Sequence, residues 1–294
     1  MPALDPARLT SRPVGIPVLD IRPEAAFATG HLAGAGNIPV AEFAARRTEL
    51  PPRDAAMLVV AASADEARAA AADLEAMGYA RVDWLDAPLA VLAEGLADGG
   101  PAARLWRPSP FLEEVLPRIL AAGGGRRALD LACGAGREAA FLALHGFEVE
   151  AVDDDPDILE RAEALAARHG VRIHTRVHDL EWRDPGLAVE CYDLVTVFRF
   201  LHRPLFPRIE RALAPGGWLV YETFRRGQER FGRPTHPRFL LNTGELASAF
   251  PALVVEHYVE SDPEGGPITA RLLARKPAPL LGVTPAPARR RGGP

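Results

Sequence analysis

The segment Ala128-Leu-Asp-Leu-Ala-Cys-Gly-Ala-Gly-Arg137 has the residue types of a loop that binds a small molecule. The apolar run around Asp130 predicts a buried strand, and the pattern that begins at Arg137 predicts a helix. Gly134 and Gly136 lie between the two, where glycine lets the backbone turn sharply and approach a ligand closely. The segment therefore predicts a strand, a ligand-binding loop and a helix in succession.

Acidic residues follow the next two predicted strands. Asp153 and Asp154 end the strand predicted from Phe147 to Val152, and Asp153 lies 17 residues past Gly136. That is the place for an acid that binds a ribose diol. Asp179-Leu180 follows the third strand and suits recognition of an adenine edge by a side chain and a backbone N–H. A competing interpretation is that Asp153 and Asp179 only cap helices.

The glycine spacing alone is ambiguous, because Gly134-x-Gly136-x-x-Ala139 also fits a dinucleotide fingerprint. Two features argue against a dinucleotide. Asp130 lies inside the strand before the loop, where it would repel a pyrophosphate. The position of Asp179-Leu180 after the third strand suits recognition of an adenine edge by a side chain and a backbone N–H.

On these residues, about 105–276 resembles the class I S-adenosylmethionine-dependent methyltransferases. The family's first motif, acid-x-Gly-x-Gly-x-Gly, corresponds to Asp130–Gly136, with Ala132 in place of the first glycine. Ala214-Pro-Gly-Gly217 is similar to the family's turn before its fifth strand.

The resemblance implies that the cofactor is S-adenosyl-L-methionine. It places Asp130 and the Gly134 loop against the methionine half, Asp153 against the ribose, and Asp179 with Leu180 against the adenine. The cofactor-binding residues that it implies are Asp130, Ala132, Gly134, Gly136, Asp153, Asp154, Asp179, Leu180 and Phe198. The sulfonium methyl is already activated, so the protein mainly aligns and desolvates the reactants.

Acceptor residues are expected where the fourth strand ends, in Phe198-Arg-Phe-Leu-His-Arg-Pro204. His202 is the candidate general base, and a structural histidine bonded to the backbone is the alternative. The segment Arg225–Arg238 holds five arginines and one acid, which suits a lid that attracts an anion or, alternatively, a solvated loop. The candidate acceptor residues are Arg199, Arg225, Arg226 and Arg230. Here the chain resembles small-molecule methyltransferases of the tellurite-resistance type.

Near the start of the chain, Val18-Leu-Asp-Ile-Arg22 and Gly30-His-Leu-Ala-Gly-Ala-Gly-Asn-Ile-Pro39 resemble the rhodanese domain over about residues 14–95. An active rhodanese carries a cysteine in the loop after the next strand, because a persulfide needs a thiolate. Ala62 falls at that position, and the first cysteine of the chain is Cys133. The domain is interpreted as inactive in sulfur transfer, and as a protein-contact or dimerisation module or a remnant.

The order of predicted elements indicates the fold class. After residue 101, strands alternate with helices, which predicts a parallel sheet with right-handed crossovers. Leu253–Val259 and Ile268–Ala274 predict a closing antiparallel pair. We expect an α/β protein: a Rossmann-like, doubly wound methyltransferase sheet with an antiparallel last strand, preceded by a small α/β rhodanese-like domain. The expected domains are 1–100 (rhodanese-like), 101–278 (methyltransferase) and 279–294 (a disordered tail).

Composition narrows the function classes. The 294 residues carry a net charge of −5, which disfavours nucleic acid as a partner. Two cysteines exclude a four-cysteine zinc site and disfavour a disulfide framework, and no metal is expected. No apolar run reaches the ~20 residues that span a bilayer. The start of the sequence has no apolar segment of a signal peptide, so we expect a cytoplasmic protein without membrane contact.

The leading hypothesis is a methyltransferase that acts on a small, anionic or soft nucleophilic acceptor. One alternative is an RNA or protein methyltransferase that uses the basic segment Arg225–Arg238. The other is a regulatory protein that binds the cofactor without catalysis.

Overall fold

A computed structural model describes residues 3–4, 15–89, 96–97, 102–182 and 186–278. By their contacts, residues 1–108 together with 160–165 form one compact unit, and residues 109–159 with 166–294 form a second. The tail predicted to be disordered, 279–294, lies outside the described residues. Within the described residues, no helix combines the length and apolar character needed to cross a membrane.

The first unit contains a parallel sheet of five strands in the order β1-β6-β5-β2-β4. A small antiparallel pair, β3 with β7, is separate from it. The elements are β1 (Ala3–Leu4), β2 (Val18–Asp20), α1 (Glu24–Ala28), β3 (His31–Leu32), β4 (Ala35–Asn37), β5 (Ala56–Val60), α2 (Ala64–Ala76), β6 (Arg81–Leu85) and β7 (Leu96–Ala97).

Helix α2 shows how this unit follows from its sequence. The side chain of Ser63 accepts a hydrogen bond from the backbone N–H of Glu66 and so caps the helix. Ala67, Ala70 and Leu74 recur at helical spacing and are buried, so this face packs into the core. The cap and the apolar spacing thus account for a helix over Ala64–Ala76.

The two rhodanese-like motifs are joined by hydrogen bonds. The buried carboxylate of Asp20 accepts from Arg22 Nη2 at 2.7 Å and from its Nε at 3.0 Å. Arg22 Nη2 also donates to the carbonyl of Gly30, and Asn37 Nδ2 donates to the carbonyls of Asp20 and Arg22. These residues satisfy one another's polar groups, so the motifs hold the unit together.

The second unit is built on a sheet of seven strands in the order β10-β9-β8-β11-β12-β14-β13. The first five strands of this order are parallel, and β14 is antiparallel to both of its neighbours. The elements are α3 (Pro110–Ala121), β8 (Arg127–Leu131), α4 (Arg137–Leu144), β9 (Glu148–Asp153), α5 (Pro156–Arg168), β10 (His174–Val177), β11 (Tyr192–Phe198), α6 (Phe206–Ala212), β12 (Leu213–Phe224), α7 (Glu245–Ser248), β13 (Val254–Ser261) and β14 (Thr269–Arg275).

This architecture confirms the predicted fold class, including the antiparallel closing pair. It adds helix α6, which the sequence pattern did not predict and which connects the parallel strands β11 and β12. Strand β12 also starts earlier than predicted. Leu213 pairs with Tyr192 and Trp218 pairs with Leu194, so residues 214–217 bulge out within the strand.

Candidate cofactor and acceptor site

Asp130, near the end of β8, is a buried acid with one unpaired oxygen. Its Oδ1 accepts a hydrogen bond of 2.8 Å from Thr196 Oγ1 on β11, whereas Oδ2 is buried and has no hydrogen-bond partner among the described residues. Burial raises the pKa of Asp130 well above its usual range, and the nearby Glu138 carboxylate raises it further. An unpaired buried oxygen is costly, so it suits a donor supplied by a ligand.

The loop after β8 has an unusual backbone. Ala132, Gly134 and Gly136 adopt positive φ angles of 54°, 51° and 74°. Glycine takes this conformation readily, but Ala132 does so at a steric cost. A Cβ atom built on Gly134 would meet no other atom within 4 Å, so its surface is open. At Gly134 the loop therefore leaves its backbone open to a ligand.

Asp153 ends β9 next to this loop. Its Oδ2 accepts a hydrogen bond of 2.8 Å from the backbone N–H of Gly134, and its Oδ1 accepts from the N–H of Asp154 at 3.0 Å. Each carboxylate oxygen can accept more than one hydrogen bond. The side chain of Asp153 is partly exposed, so its remaining lone pairs can bind hydroxyl groups.

The other expected cofactor residues lie at the same edge of the sheet. Asp179 is exposed and its Oδ1 accepts from the N–H of Glu181 at 2.8 Å, whereas Leu180 is buried. Asp154 is largely exposed, and its slight burial together with the neighbouring Asp153 carboxylate raises its pKa. Phe198 is the partly buried last residue of β11. The helix-cap alternative does not describe the geometry of Asp153, because the side chain that caps α5 is that of Asp155.

Four polar residues that the motif analysis did not assign to the site join the elements around it. Ser109, before α3, donates from its hydroxyl to Glu222 Oε2 at 2.8 Å and from its backbone to Glu138 Oε1 at 3.0 Å. Glu222 Oε1 also accepts from Arg271 Nε at 3.2 Å. The only signal in the sequence was the place of the two acids along their elements. Glu138 lies in the first turn of α4, and Glu222 lies near the end of β12.

Arg199 and His202 follow β11. Arg199 is an exposed, non-glycine residue with φ of 57°, and its N–H donates to the carbonyl of Glu222 at 2.8 Å. Its guanidinium acts electrostatically on Glu138. His202 is partly exposed, and its ring makes no hydrogen bond to another described residue. Among the described residues, no backbone group is bonded to the His202 ring, so the alternative of a structural histidine has no such bond to support it.

Polar and acidic side chains from other parts of the chain pair with arginines of the basic segment Arg225–Arg238. Arg225 is largely buried and lies 3.8 Å from Glu260, so it forms an internal ion pair. Arg226 is exposed and donates to Asn242 Oδ1 at 2.8 Å, and the exposed Arg230 lies 3.4 Å from Asp262. Of the three arginines in this segment that were predicted to bind the acceptor, Arg226 and Arg230 present exposed side chains and Arg225 does not.

A cavity of about 330 Å³ lies at the opposite edge of the sheet, where β8 to β11 begin. Its lining includes Glu150, which accepts from Tyr192 Oη at 2.6 Å and from Arg176 Nε at 2.8 Å. None of the predicted site residues lines this cavity. Among the described residues, no cluster of three or more His, Cys, Asp or Glu side chains is arranged to hold a metal ion.

Comparison with known proteins agrees with both motif assignments. Residues 128–217 match the methyltransferase domain family, and residues 7–87 match the rhodanese-like domain family. The ubiquinone biosynthesis O-methyltransferase of Bordetella pertussis is 33% identical over 148 residues, which cover 44% of this chain and 60% of that protein. The chain thus spans less than two thirds of the length of this relative.

Two further matches extend the comparison. The uncharacterized protein UNK4.09 of Schizosaccharomyces pombe is 24% identical and is matched over 79% of this chain and 84% of its own length. The crystal structure of TehB from Haemophilus influenzae is 20% identical, with a TM-score of 0.47 over 56% of this chain and 62% of TehB. By these two matches, the chain contains a segment similar to the methyltransferase domain and, N-terminal to it, a segment similar to the rhodanese-like domain.

Proposed function

We propose that the protein binds S-adenosylmethionine and transfers its methyl group to a small, anionic or soft nucleophilic acceptor. The observation that carries the proposal is the arrangement of Asp130, the glycine loop and Asp153 at adjoining strand ends, within a segment that matches the methyltransferase domain family. S-adenosylmethionine supplies a methyl group that is already activated by its positively charged sulfur.

The residues present fit this cofactor. Its amino-acid end carries an ammonium group, which suits the unpaired Oδ2 of Asp130. The open surface of Gly134 leaves room for the ligand beside the backbone. Asp153 accepts ribose hydroxyls, and Asp179 with the N–H of Leu180 receives the adenine edge. Asp154, Ala132, Gly136 and Phe198 complete the proposed cofactor set.

The chain's own contribution to the reaction is alignment, exclusion of water and, for a protonated acceptor, removal of a proton. His202 is the proposed base, because its imidazole is partly exposed and free of bonds to other described residues. Arg199, Arg226 and Arg230 provide positive charge near the carboxyl edge and favour an anionic acceptor. Arg225 supports the segment through its ion pair with Glu260.

We retain the domain boundaries 1–100 and 101–278, and a cytoplasmic location, as proposals. The rhodanese-like domain is proposed to make protein contacts rather than to transfer sulfur, because Ala62 stands in the loop after β5.

The test is the formation of S-adenosylhomocysteine with a panel of small acceptors. Mercaptoacetate, 2-mercaptoethanol and cysteamine present the same nucleophile with negative, neutral and positive charge. A phenol belongs in the panel because the matched relatives are named as O-methyltransferases. Turnover that favours mercaptoacetate supports the proposal. Binding of the cofactor without turnover of any acceptor, in cell extract as well, would favour the regulatory alternative.

A further inference from the structure

Two apolar side chains are exposed at the edge of the sheet that carries the acids expected to bind ribose and adenine. Among the described residues, Trp182 and Val177 are the two most exposed large hydrophobic side chains, at 67% and 57%. A tryptophan has a large apolar area, so leaving one in water forgoes the stabilisation that its burial would give. Single exposed apolar residues are common on protein surfaces, but the two most exposed ones lie together beside a candidate ligand site.

Backbone bonds place both residues next to these acids. Val177 ends β10 and is the parallel partner of Asp153 at the end of β9, and the N–H of the residue after Val177 donates to the Asp153 carbonyl at 2.8 Å. The N–H of Trp182 donates to the carbonyl of Asp179 at 3.1 Å and closes a turn of four residues. Within this turn, the Asp179 carboxylate accepts from the N–H of Glu181. Trp182 is therefore one β-turn away from the residue expected to bind the adenine edge.

The acids at this edge can bind the polar rim of an adenosine but not the flat faces of its base. Asp179 is expected at the edge of the adenine, and Asp153 at the ribose hydroxyls. The faces of a purine are apolar and polarisable, so they bind best to aromatic or apolar side chains. The two residues after Asp153 are Asp154 and Asp155, whose carboxylates provide no apolar surface. The indole of Trp182 is exposed and large enough to cover a purine.

We propose that Trp182 stacks on the adenine ring of the cofactor and that Val177 gives the base a further apolar contact. This inference rests on the proposed function, because it concerns the same cofactor. One indole and one valine present an area close to that of a single purine, which is smaller than the apolar patches that bind other proteins. Trp182 thereby becomes a cofactor-recognising residue beyond Asp179 and Leu180.

Tryptophan fluorescence can report this contact. The chain has four tryptophans, of which Trp106 and Trp218 are buried and Trp84 is partly buried, so Trp182 is the exposed one. Stacking of a purine on the indole of Trp182 should quench its emission. S-adenosylhomocysteine and adenosine both contain the base and should quench, whereas homocysteine lacks it and should not. None of these three probes undergoes methyl transfer from the cofactor, so no acceptor is needed.

The experiment is titration of the full-length protein with these three probes, followed by fluorescence and by calorimetry. Trp182→Ala should weaken S-adenosylhomocysteine binding by about 10- to 100-fold, as for loss of one base stacked on an aromatic side chain. Trp182→Phe keeps an aromatic face, so it should bind nearly as tightly as wild type while the quenching disappears. Val189→Ala, which shortens an exposed apolar side chain before β11, is the control and should keep the affinity and the quenching of wild type.

Two outcomes overturn the inference while leaving the proposed function intact. One is calorimetric binding of S-adenosylhomocysteine to wild type without any quenching, and the other is an unchanged affinity in Trp182→Ala. If wild-type protein binds neither S-adenosylhomocysteine nor S-adenosylmethionine, the proposed function itself fails. Because Trp182 is exposed, its replacement should leave the urea midpoint near that of wild type, and the wild-type titrations decide the matter even if a variant does not fold.

Discussion

The backbone N–H of Gly134 donates a hydrogen bond of 2.8 Å to the carboxylate of Asp153. This bond connects the loop after β8 to the end of the neighbouring strand β9, although the two residues are 19 positions apart. The acid expected to bind the ribose thus also holds the loop expected to bind the methionine half. A change at Asp153 should therefore affect both ends of the proposed cofactor site.

We expect Asp153→Ala to weaken S-adenosylmethionine binding by about 1.5–3 kcal/mol, since it removes hydrogen bonds to a charged group. Asp153→Asn should lose less affinity, because its amide oxygen can still accept the hydrogen bond from the N–H of Gly134. Calorimetry measures both, and Asp157→Ala, an exposed acid in the first turn of α5, is the control. Equal affinity in wild type and Asp153→Ala would remove the ribose assignment.

Ala132 adopts the left-handed conformation where the family motif has glycine. We expect Ala132→Gly to stabilise the protein by about 0.5–1 kcal/mol, because relief of the steric cost exceeds the added freedom of the unfolded chain. Urea unfolding measures the change. Ala140→Gly, inside helix α4, is the control and should destabilise by about 1 kcal/mol or more. Similar losses of unfolding free energy in Ala132→Gly and Ala140→Gly would contradict a steric cost of the positive φ at Ala132.

The stability of the cofactor-free protein should fall as pH rises through the titration of Asp130. The pKa of Asp130 is raised on folding, so the native state binds more protons than the unfolded state. Its contribution is therefore present at low pH and lost at high pH, with a slope of at most about 1.4 kcal/mol per pH unit. Melting temperatures from pH 5 to 8 should decline less in Asp130→Asn than in wild type. Parallel curves for the two proteins would refute the raised pKa.

We expect the full-length protein to form no thiocyanate from thiosulfate and cyanide. Ala62 provides no thiolate, Cys133 is buried with a raised pKa, and Cys191 belongs to the second unit. An active rhodanese assayed in parallel confirms that the reagents work. Thiocyanate above background would show that the alignment of the loop with the rhodanese motif is wrong.

The exposed arginines of the basic segment should contribute more to acceptor binding than to cofactor binding. Replacing Arg226 and Arg230 with alanine should raise the KM for mercaptoacetate at low salt and leave that for 2-mercaptoethanol nearly unchanged. The difference should shrink with added salt, since exposed charges are screened within ~8 Å at physiological ionic strength. Equal effects on the two thiols would exclude an electrostatic role for these arginines.

Arg225→Ala should behave differently from that pair. Because Arg225 and Glu260 are largely buried, loss of the guanidinium leaves a partly buried acid without its cation. We expect a lower unfolding midpoint in urea, whatever the acceptor. If Arg225→Ala were as stable as wild type and raised the KM for mercaptoacetate alone, Arg225 would be an acceptor-binding residue, as the sequence predicted.

The sequence predicted the elements that have local signals. Ser109 is a typical N-cap and Pro110 a typical first helical residue, and α3 starts there; Gly146, a typical helix stop, follows α4 with φ of 83°. Helix α6 was missed because it is short, with Pro207 near its start and an apolar pattern too brief to show a period. Strand β4, Ala35–Asn37, was missed because its glycine and asparagine are poor strand formers.

At the candidate site, the sequence motif predicted the residues of the glycine loop and of the strand ends. It did not predict residues whose position depends on contacts between distant segments of the chain. The sequence around Glu222 does not indicate that Ser109 will donate a hydrogen bond to it. The sequence around Arg225 does not indicate that Glu260 will form an ion pair with it. A run of arginines predicts a charged surface only if its partners in space are known. The acids that neutralise this run come from strand β13 and the turn that follows it.

The bond from Ser109 to Glu222 closes a loop of 113 residues. Ordering so long a segment costs entropy that a single hydrogen bond does not repay, so this contact can form only after the strands between have assembled. The start of α3 is therefore expected to dock late in folding and to reopen before the sheet does. In amide hydrogen exchange, the first turn of α3 should exchange through this local opening while β8 and β11 remain protected.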